Sequence, residues 1–278
     1  MSTAGPSPIT WSRLVLDGDG RALIDLTVSP DVVSPVASVG KLLLLLEVGA
    51  QISDGRLDPA QPVTAVGLDP IGDSGIWYRL ATDTLPLRDV ALLVGTWSDN
   101  LATNALLDLV GLDAVDASRR RLGLRHTRLL DRVRDPRGPE HAPTLATGSA
   151  RELAALMLAI HRGTALTPGA SAFTAACLDG GLDLSLVASA FRLDPLAHRT
   201  GDGGAHGDRD THGGIAVVNK TGTDAGIRVD VGVVVGPDRT LAYAYLAHWD
   251  PALDHDGALT ALAVEEMRAF GAGLRGLL

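Results

Sequence analysis

A chain of 278 residues with 46% hydrophobic and 21% charged side chains is long enough to bury a substantial core in one large or two small domains. These values argue against a disordered chain. The formal net charge of −9 argues against binding to a nucleic-acid backbone, because such binding needs a concentrated basic surface. We therefore expect a small-molecule or peptide-like substrate as the partner, and a monomer.

The sequence shows no targeting or membrane-spanning segment. Residues 1–11 have neither the basic cluster nor the apolar core of a secretory signal. We therefore expect a cytoplasmic protein, or a secreted or periplasmic one if a leader was removed. The longest aliphatic run, residues 42–46, is too short to cross a bilayer, which needs about twenty apolar residues. Cys177 is the only cysteine, which leaves no internal disulfide and no cysteine-based zinc site.

The first predicted elements are strands followed by a helix. Residues 11–16 and 22–28 alternate like the arms of a β-hairpin, with a Gly-Asp-Gly turn at residues 18–20 between them. A helix should begin near Ser38, because the apolar residues that follow it recur at spacings of three and four.

The rest of the chain changes from helical to extended patterning. Residues 87–160 have helical spacing. Three strands and a final amphipathic helix are then predicted at residues 215–219, 229–235, 241–247 and 258–274. Before the first of these strands, residues 198–214 are rich in Gly, Asp and His and predict a loop. Its histidines, at 198, 206 and 212, are not expected to bind a metal, and no cofactor is expected.

This order predicts an α/β domain built from both ends of the chain, with an all-α domain inserted between them. The α/β domain would comprise residues 1–37 and 188–278, and the all-α domain residues 38–187. The active site would lie at their interface.

Lysine is almost absent. Of the 24 basic residues only Lys41 and Lys220 are lysines. Arginine does not lose its proton in a protein, whereas lysine can be tuned to exchange one. Both lysines are therefore candidates for chemistry, although two chance survivors on the surface remain an alternative.

Three short motifs contain chemistry-bearing side chains. Ser38 and Lys41 are three positions apart, which places a hydroxyl and an amine on one helix face, and a desolvated lysine can activate a serine nucleophile. Ser98, Asp99 and Asn100 open a second predicted helix, where they could equally be capping residues.

The third motif ends a predicted strand. Lys220 offers an anion site and the hydroxyls of Thr221 and Thr223 can bind a carboxylate, while Gly222 allows a ligand to approach the backbone.

Together these segments match the S-x-x-K, S-D-N and K-T-G set, and in their order the chain resembles class A serine β-lactamases and penicillin-binding proteins. The resemblance implies a β-lactamase/transpeptidase-like fold, an antiparallel sheet flanked by helices with an inserted helical domain. It also implies a serine hydrolase that acts on amides or esters, opens β-lactam rings through an acyl-enzyme and serves antibiotic resistance.

The resemblance also implies a role for each matching residue. Ser38 would be the nucleophile and Lys41 its proton acceptor, with Ser98 passing a proton to the leaving nitrogen. Asn100 would hold the substrate amide and Lys41. The carboxylate would be bound by the remaining residues, Lys220, Thr221, Thr223 and Arg228, the last of which could equally be a surface arginine. Backbone N–H groups of Ser38 and Thr223 would form the oxyanion hole.

One feature of class A enzymes is missing. Their acyl-enzyme is hydrolysed with a glutamate in the pattern E-x-x-L-N, which residues 131–140 lack, and an ungapped count places Arg134 there. Asp135 or Glu140 could replace that base, or could be solvated loop charges. Three readings therefore stay open: a β-lactamase, an intracellular esterase, acyltransferase or slowly deacylating penicillin-binding protein, and a non-catalytic ligand-binding relative.

Overall fold

The structure, a computed structural model, describes residues 7–193 and 214–278. The predicted loop at residues 198–214, with its three histidines, lies outside the described residues except for Gly214. The strands are β1 Thr10–Asp17, β2 Ser34–Pro35, β3 Pro62–Thr64, β4 Thr84–Pro86, β5 Arg128–Leu129, β6 Ala146–Gly148, β7 Ala216–Asp224, β8 Ile227–Val235 and β9 Thr240–His248. The helices are α1 Lys41–Ser53, α2 Leu87–Thr96, α3 Asn100–Val110, α4 Leu112–Arg121, α5 Ala150–His161, α6 Pro168–Leu178 and α7 Ala258–Arg275.

The main sheet is antiparallel, with strand order β1-β9-β8-β7. Strands β7 to β9 form where the sequence predicts them, because each is a run of apolar and β-branched residues between glycine-bearing turns. The first and last strands in the chain are neighbours, so both chain ends build one sheet. β7 is its edge strand, and this edge faces the turn that contains Ser38.

Helices cover both faces of the sheet. Helix α5 packs against β1, β8 and β9 on one face, and α7 with the 3₁₀ turn Val187–Phe191 covers the other. Behind α5, helix α1 is buried along nearly its whole length and packs against α6, α4 and α3. A helix that is apolar all round belongs inside a core, which explains the leucine run. None of the helices formed by the described residues combines the length and hydropathy that a bilayer crossing needs.

The predicted hairpin is wrong in its second arm. The predicted second arm, residues 22–28, forms two isolated β-bridges with β1, Arg13 with Val28 and Leu16 with Ala22. A 3₁₀ turn, Ile24–Leu26, lies between these two bridges. The side chain of Asp17 accepts the backbone N–H groups of Asp19 and Arg21, which closes the turn but leaves a short, irregular return segment.

The region predicted to be all-α also contains four short strands, β3, β4, β5 and β6, and a fifth, β2, lies just before it. β2, β6 and β5 form one small sheet, and β3 pairs with β4. Each has only two or three residues, too few for strand periodicity to be visible in the sequence. One apolar cluster includes residues of α1, α5 and the main sheet, so the two predicted domains share a core. Their boundary stays a prediction.

Candidate active site

The three motifs meet in one cleft of about 610 Å³. The predicted site residues that line it are Ser38, Ser98, Asn100, Lys220, Thr221 and Thr223. They come from the turn before α1, the start of α3 with the residues just before it, and the edge strand β7. Elements far apart in the chain therefore supply one surface.

Ser38 lies in a 3₁₀ turn, Ala37–Gly40, and α1 begins only at Lys41. The predicted helix start at Ser38 is therefore displaced by three residues. Residues three apart stack in a 3₁₀ turn, so the expected proximity of Ser38 and Lys41 along one face is retained. Ala37 has φ 44°, a left-handed conformation that a non-glycine residue adopts only where its surroundings impose it.

Close packing places this turn against β7. A Cβ atom added to Gly222 would collide with the carbonyl oxygen of Val36. Glycine at this position is therefore needed for the strand to approach the turn. Gly222 has this packing role and is absent from the cleft lining, and its predicted contact with a substrate stays a prediction.

Lys41 is completely buried and makes three hydrogen bonds. Its Nζ donates to the Ser98 carbonyl oxygen at 2.5 Å, to Asn100 Oδ1 at 2.7 Å and to Ser98 Oγ at 3.3 Å. Burial and the nearby Lys220 ammonium lower the pKa of Lys41 well below its usual value, against the opposing carboxylates of Asp99 and Asp73. A lowered pKa makes this amine easier to deprotonate and therefore more available as a proton acceptor.

Ser98 connects the two lysines. Lys220 Nζ donates to Ser98 Oγ at 3.0 Å, and Lys41 Nζ donates to the same oxygen. The backbone of Ser98 is left-handed, with φ 55°, and Asp99 fixes this turn by capping α3 and by accepting the N–H groups of Ile76 and Trp77. The capping interpretation therefore holds for Asp99, while the hydroxyl of Ser98 stays exposed to the cleft.

Ser38 differs from the expectation in one contact. In the part of the chain that the structure describes, no hydrogen bond joins Ser38 Oγ to Lys41 or Lys220. The hydroxyl that both lysines share is that of Ser98. Lys41 is thus placed to exchange a proton with Ser98, whereas the S-x-x-K spacing predicts a direct pair with Ser38.

Asn100 has partners on both sides of its amide. Its Oδ1 accepts from Lys41, and its Nδ2 donates to Asp73 Oδ1. Asp73 lines the cleft and was missed by the sequence analysis. It lies in an irregular segment, and no motif or spacing marks it.

Lys220 is almost fully buried and also donates to the carbonyl oxygen of Thr221 at 3.0 Å. Burial lowers its pKa to about 8, against the opposing carboxylates of Asp183 and Asp230. Asp183 is a second cleft residue that the sequence analysis missed. Its Oδ2 accepts the Thr221 hydroxyl at 2.6 Å.

Arg228 contacts its own turn in the structure. Its Nη1 donates to the carbonyl oxygens of Asp224 and Ile227, and its guanidinium lies 6.0 Å from the ring centre of Trp249. It is not part of the cleft lining. These contacts hold the β7–β8 turn together, and a direct contact with a substrate carboxylate stays a prediction.

The two candidate deacylation bases lie outside the cleft lining. Asp135 is exposed, and Glu140 is 66% exposed and contacts His141. Arg134, at the position of the missing glutamate, binds Asp131 in its own loop.

Helix α3 holds two residues of this loop, Arg132 and the apolar Val133. Asp108 forms an ion pair with Arg132. Asn104 donates to the carbonyl oxygen of Val133 at 3.0 Å and accepts its N–H at 2.9 Å. The side chain that this anchor positions therefore cannot take a proton.

Comparison with known proteins agrees with this architecture. Residues 7–263 match the model of a family described as the beta-lactamase enzyme family. No curated protein sequence matches the chain.

Three solved structures show the similarity of fold. A beta-lactamase from Sphaerobacter thermophilus has a TM-score of 0.78 and 23% identity over 97% of this chain and 92% of its own. An ancestral class A beta-lactamase has a TM-score of 0.75 and 22% identity over 98% of this chain and 95% of its own. A mutant of PBP-A, in an acyl-enzyme complex with penicillin G, has a TM-score of 0.70 and 22% identity over 96% of this chain and 89% of its own. These matches confirm the predicted fold.

Proposed function

The chain belongs to the beta-lactamase enzyme family and is a serine hydrolase, and from this premise we propose that it forms an acyl-enzyme on Ser38 and opens β-lactam rings. The observation that carries the proposal is the arrangement around Ser98, whose hydroxyl lies between two buried lysines at the wall of the cleft that Ser38 also lines. The substrate is a small molecule rather than a nucleic acid. The monomeric state and the cellular compartment stay predictions.

Acylation would proceed in two steps, attack on the carbonyl carbon and departure of the leaving nitrogen. Ser38 Oγ bonds to the carbonyl carbon of the substrate while its proton passes to the unprotonated form of Lys41, the buried amine with the lowered pKa. Because Ser38 Oγ and Lys41 Nζ are not hydrogen-bonded in the structure, this transfer requires the two groups to approach when the substrate binds. Backbone N–H groups of Ser38 and Thr223 would stabilise the resulting oxyanion. The bond between carbon and the leaving nitrogen then breaks, the nitrogen takes the proton of Ser98, and Ser98 recovers one from Lys41, 3.3 Å away.

Hydrolysis of the acyl-enzyme would be slow, as in a penicillin-binding protein. Asp135 and Glu140 are absent from the cleft lining, and the loop residue anchored by Asn104 is Val133. A water molecule that attacks an ester needs a base to take its proton. The cleft carboxylates of Asp73 and Asp183 are already hydrogen-bonded, to Asn100 and to Thr221 and Ser185 respectively. These observations together favour a slowly deacylating enzyme over a rapid β-lactamase.

Stopped-flow mixing with nitrocefin tests both the acylation of Ser38 and the slow hydrolysis of the acyl-enzyme. We expect a burst of opened lactam equal to the enzyme concentration, followed by slow turnover, with no burst from Ser38→Ala. No burst and no adduct with nitrocefin or with p-nitrophenyl acetate would contradict the acyl-enzyme. An adduct with p-nitrophenyl acetate but with neither nitrocefin nor its methyl ester would identify an esterase. Binding without turnover that survives Ser38→Ala would identify a ligand-binding protein.

A matched pair of variants tests the slow deacylation. Asp135→Asn and Glu140→Gln should leave the slow phase unchanged, because neither side chain lines the cleft. Rapid turnover by the parent enzyme that either variant abolishes would contradict this part of the proposal.

A further inference from the structure

The hydroxyl of Thr221, which was predicted to bind a substrate carboxylate, is already hydrogen-bonded to a carboxylate of the protein. Thr221 Oγ1 donates to Asp183 Oδ2 at 2.6 Å. Asp183 Oδ1 accepts the Ser185 hydroxyl at 2.6 Å and the Ser185 N–H at 3.1 Å. Burial opposes the ionisation of Asp183, but these hydrogen bonds and Lys220 keep its pKa below its usual value. The side chain is therefore an anion at neutral pH.

The cations near this end of the cleft are also occupied. Lys220 Nζ binds Ser98 Oγ and the Thr221 carbonyl oxygen, and Arg228 binds the carbonyl oxygens of its own turn. Of the described residues that line the cleft, three are aspartates, Asp73, Asp183 and Asp224, and one is a lysine. The cleft thus offers an incoming carboxylate more repulsion than attraction.

We propose that the end of the cleft beside Thr221 takes acyl donors that carry no carboxylate there, namely neutral or cationic esters, amides or lactams. A substrate carboxylate at Thr221 would lie against the carboxylate of Asp183 and would compete with it for the same hydroxyl. This selectivity rests on the proposed acylation of Ser38, and Asp183 is its determinant.

Nitrocefin and its methyl ester form a matched pair of probes, because they differ only in whether the carboxylate is masked. In the parent protein the ester should acylate Ser38 about ten- to a hundredfold faster than the acid. Asp183→Ala, which frees the Thr221 hydroxyl, and Asp183→Asn, which removes only the charge, should both raise the rate for the acid about tenfold or more. The acid-to-ester ratio of rates is compared within each variant, because Asp183 also supports the charge of Lys220 and its loss can change both rates together. Circular dichroism reports that the variants are folded.

Asp238→Asn is the matched control, because it removes the same charge from an exposed turn outside the cleft lining. It should leave the ratio of the two rates unchanged. Equal rates for acid and ester in the parent, or an unchanged ratio in both Asp183 variants, would overturn the inference.

Binding to Ser38→Ala, measured by calorimetry with the same two probes, separates this inference from the proposed function. If neither probe acylates the parent protein, the proposed function fails. Tighter binding of the ester to Ser38→Ala still supports the selectivity, and equal or tighter binding of the acid overturns it.

Discussion

Lys41 and Lys220 approach the Ser98 hydroxyl from two sides, at 3.3 and 3.0 Å, and each has a lowered pKa because it is buried. Two ammonium groups this close disfavour each other's charge, so one of them is the better proton acceptor. The carboxylates of Asp183 and Asp230 support the charge of Lys220, whose pKa is about 8. Burial and the Lys220 ammonium lower the pKa of Lys41 well below its usual value, so we assign the base to Lys41 in our proposal.

Replacing Lys41 with arginine tests that assignment. A guanidinium at this position would keep a positive charge near Asn100 but could not release its proton. Lys41→Arg should therefore lower the single-turnover rate of nitrocefin acylation by about 10²- to 10⁴-fold. Arg88→Lys, the reverse exchange at an exposed position, is the control. A near-parental rate for Lys41→Arg would show that another group is the base.

The pH profile of acylation should be bell-shaped. The rate rises with pH as Lys41 loses its proton, because the unprotonated amine is the base. It falls above about pH 8, where Lys220 loses the charge that holds Ser98. Lys220→Arg should move the falling limb to higher pH. A parental rate that still climbs between pH 8 and pH 10 would contradict the role of Lys220.

At the scale of elements, the site depends on the contact between β7 and the turn Ala37–Gly40. Gly222 allows this contact, since a Cβ there would meet the carbonyl oxygen of Val36. The approach places the end of β7, with Lys220 and Thr223, beside Ser38.

Gly222→Ala should push β7 away from the turn. We expect a loss of about 1–3 kcal/mol in the free energy of unfolding and at least about a tenfold loss of acylation rate. Gly273→Ala is the control, because Gly273 lies in α7 with no atom near its absent Cβ. That variant should gain about 0.5–1 kcal/mol. Urea unfolding and single-turnover kinetics measure both. Parental acylation by Gly222→Ala would show that the close approach is unnecessary.

The sequence predicts some elements well and others not at all. Strands β7 to β9 and helix α7 have long apolar patterns, so their existence and type could be read directly. Helix α6 is a short run of mostly small residues without a clear apolar face. Its start could still have been found from the capping residue Thr167 and the proline that follows it.

Among the site residues, the motifs mark those whose chemistry depends on local spacing. Asp73 and Asp183 could not be predicted, because they reach the cleft from irregular segments and meet Asn100 and Thr221 only in three dimensions.

At the scale of the whole molecule, stability should depend on a buried carboxyl group beneath the site. Asp230 accepts hydrogen bonds from Asn219 and Tyr243, and burial raises its pKa from 3.8 to about 7. The folded protein therefore holds this proton between about pH 4 and pH 7, whereas the unfolded chain releases it. The contribution to stability is complete below about pH 4 and is lost as the pH rises through about 7.

Asp230→Asn should remove that dependence. The free energy of unfolding of the parent should fall between pH 5 and pH 8 by on the order of a few kcal/mol more than that of the variant. Urea titrations at four pH values in this range measure the difference, with Asp238→Asn as the exposed control. If the free energy of unfolding changed with pH identically in the parent and in Asp230→Asn, Asp230 would not have the raised pKa.

Peptide mapping after reaction with nitrocefin tests the central claim most directly. Acid quenching, digestion and tandem mass spectrometry should place one acyl group on Ser38, with no labelling of Ser38→Ala. Ser74, a second hydroxyl in the cleft lining, provides the control, because Ser74→Ala should still be labelled at Ser38. An acyl group on Ser74 or Ser98, or labelling that persists in Ser38→Ala, would contradict the account.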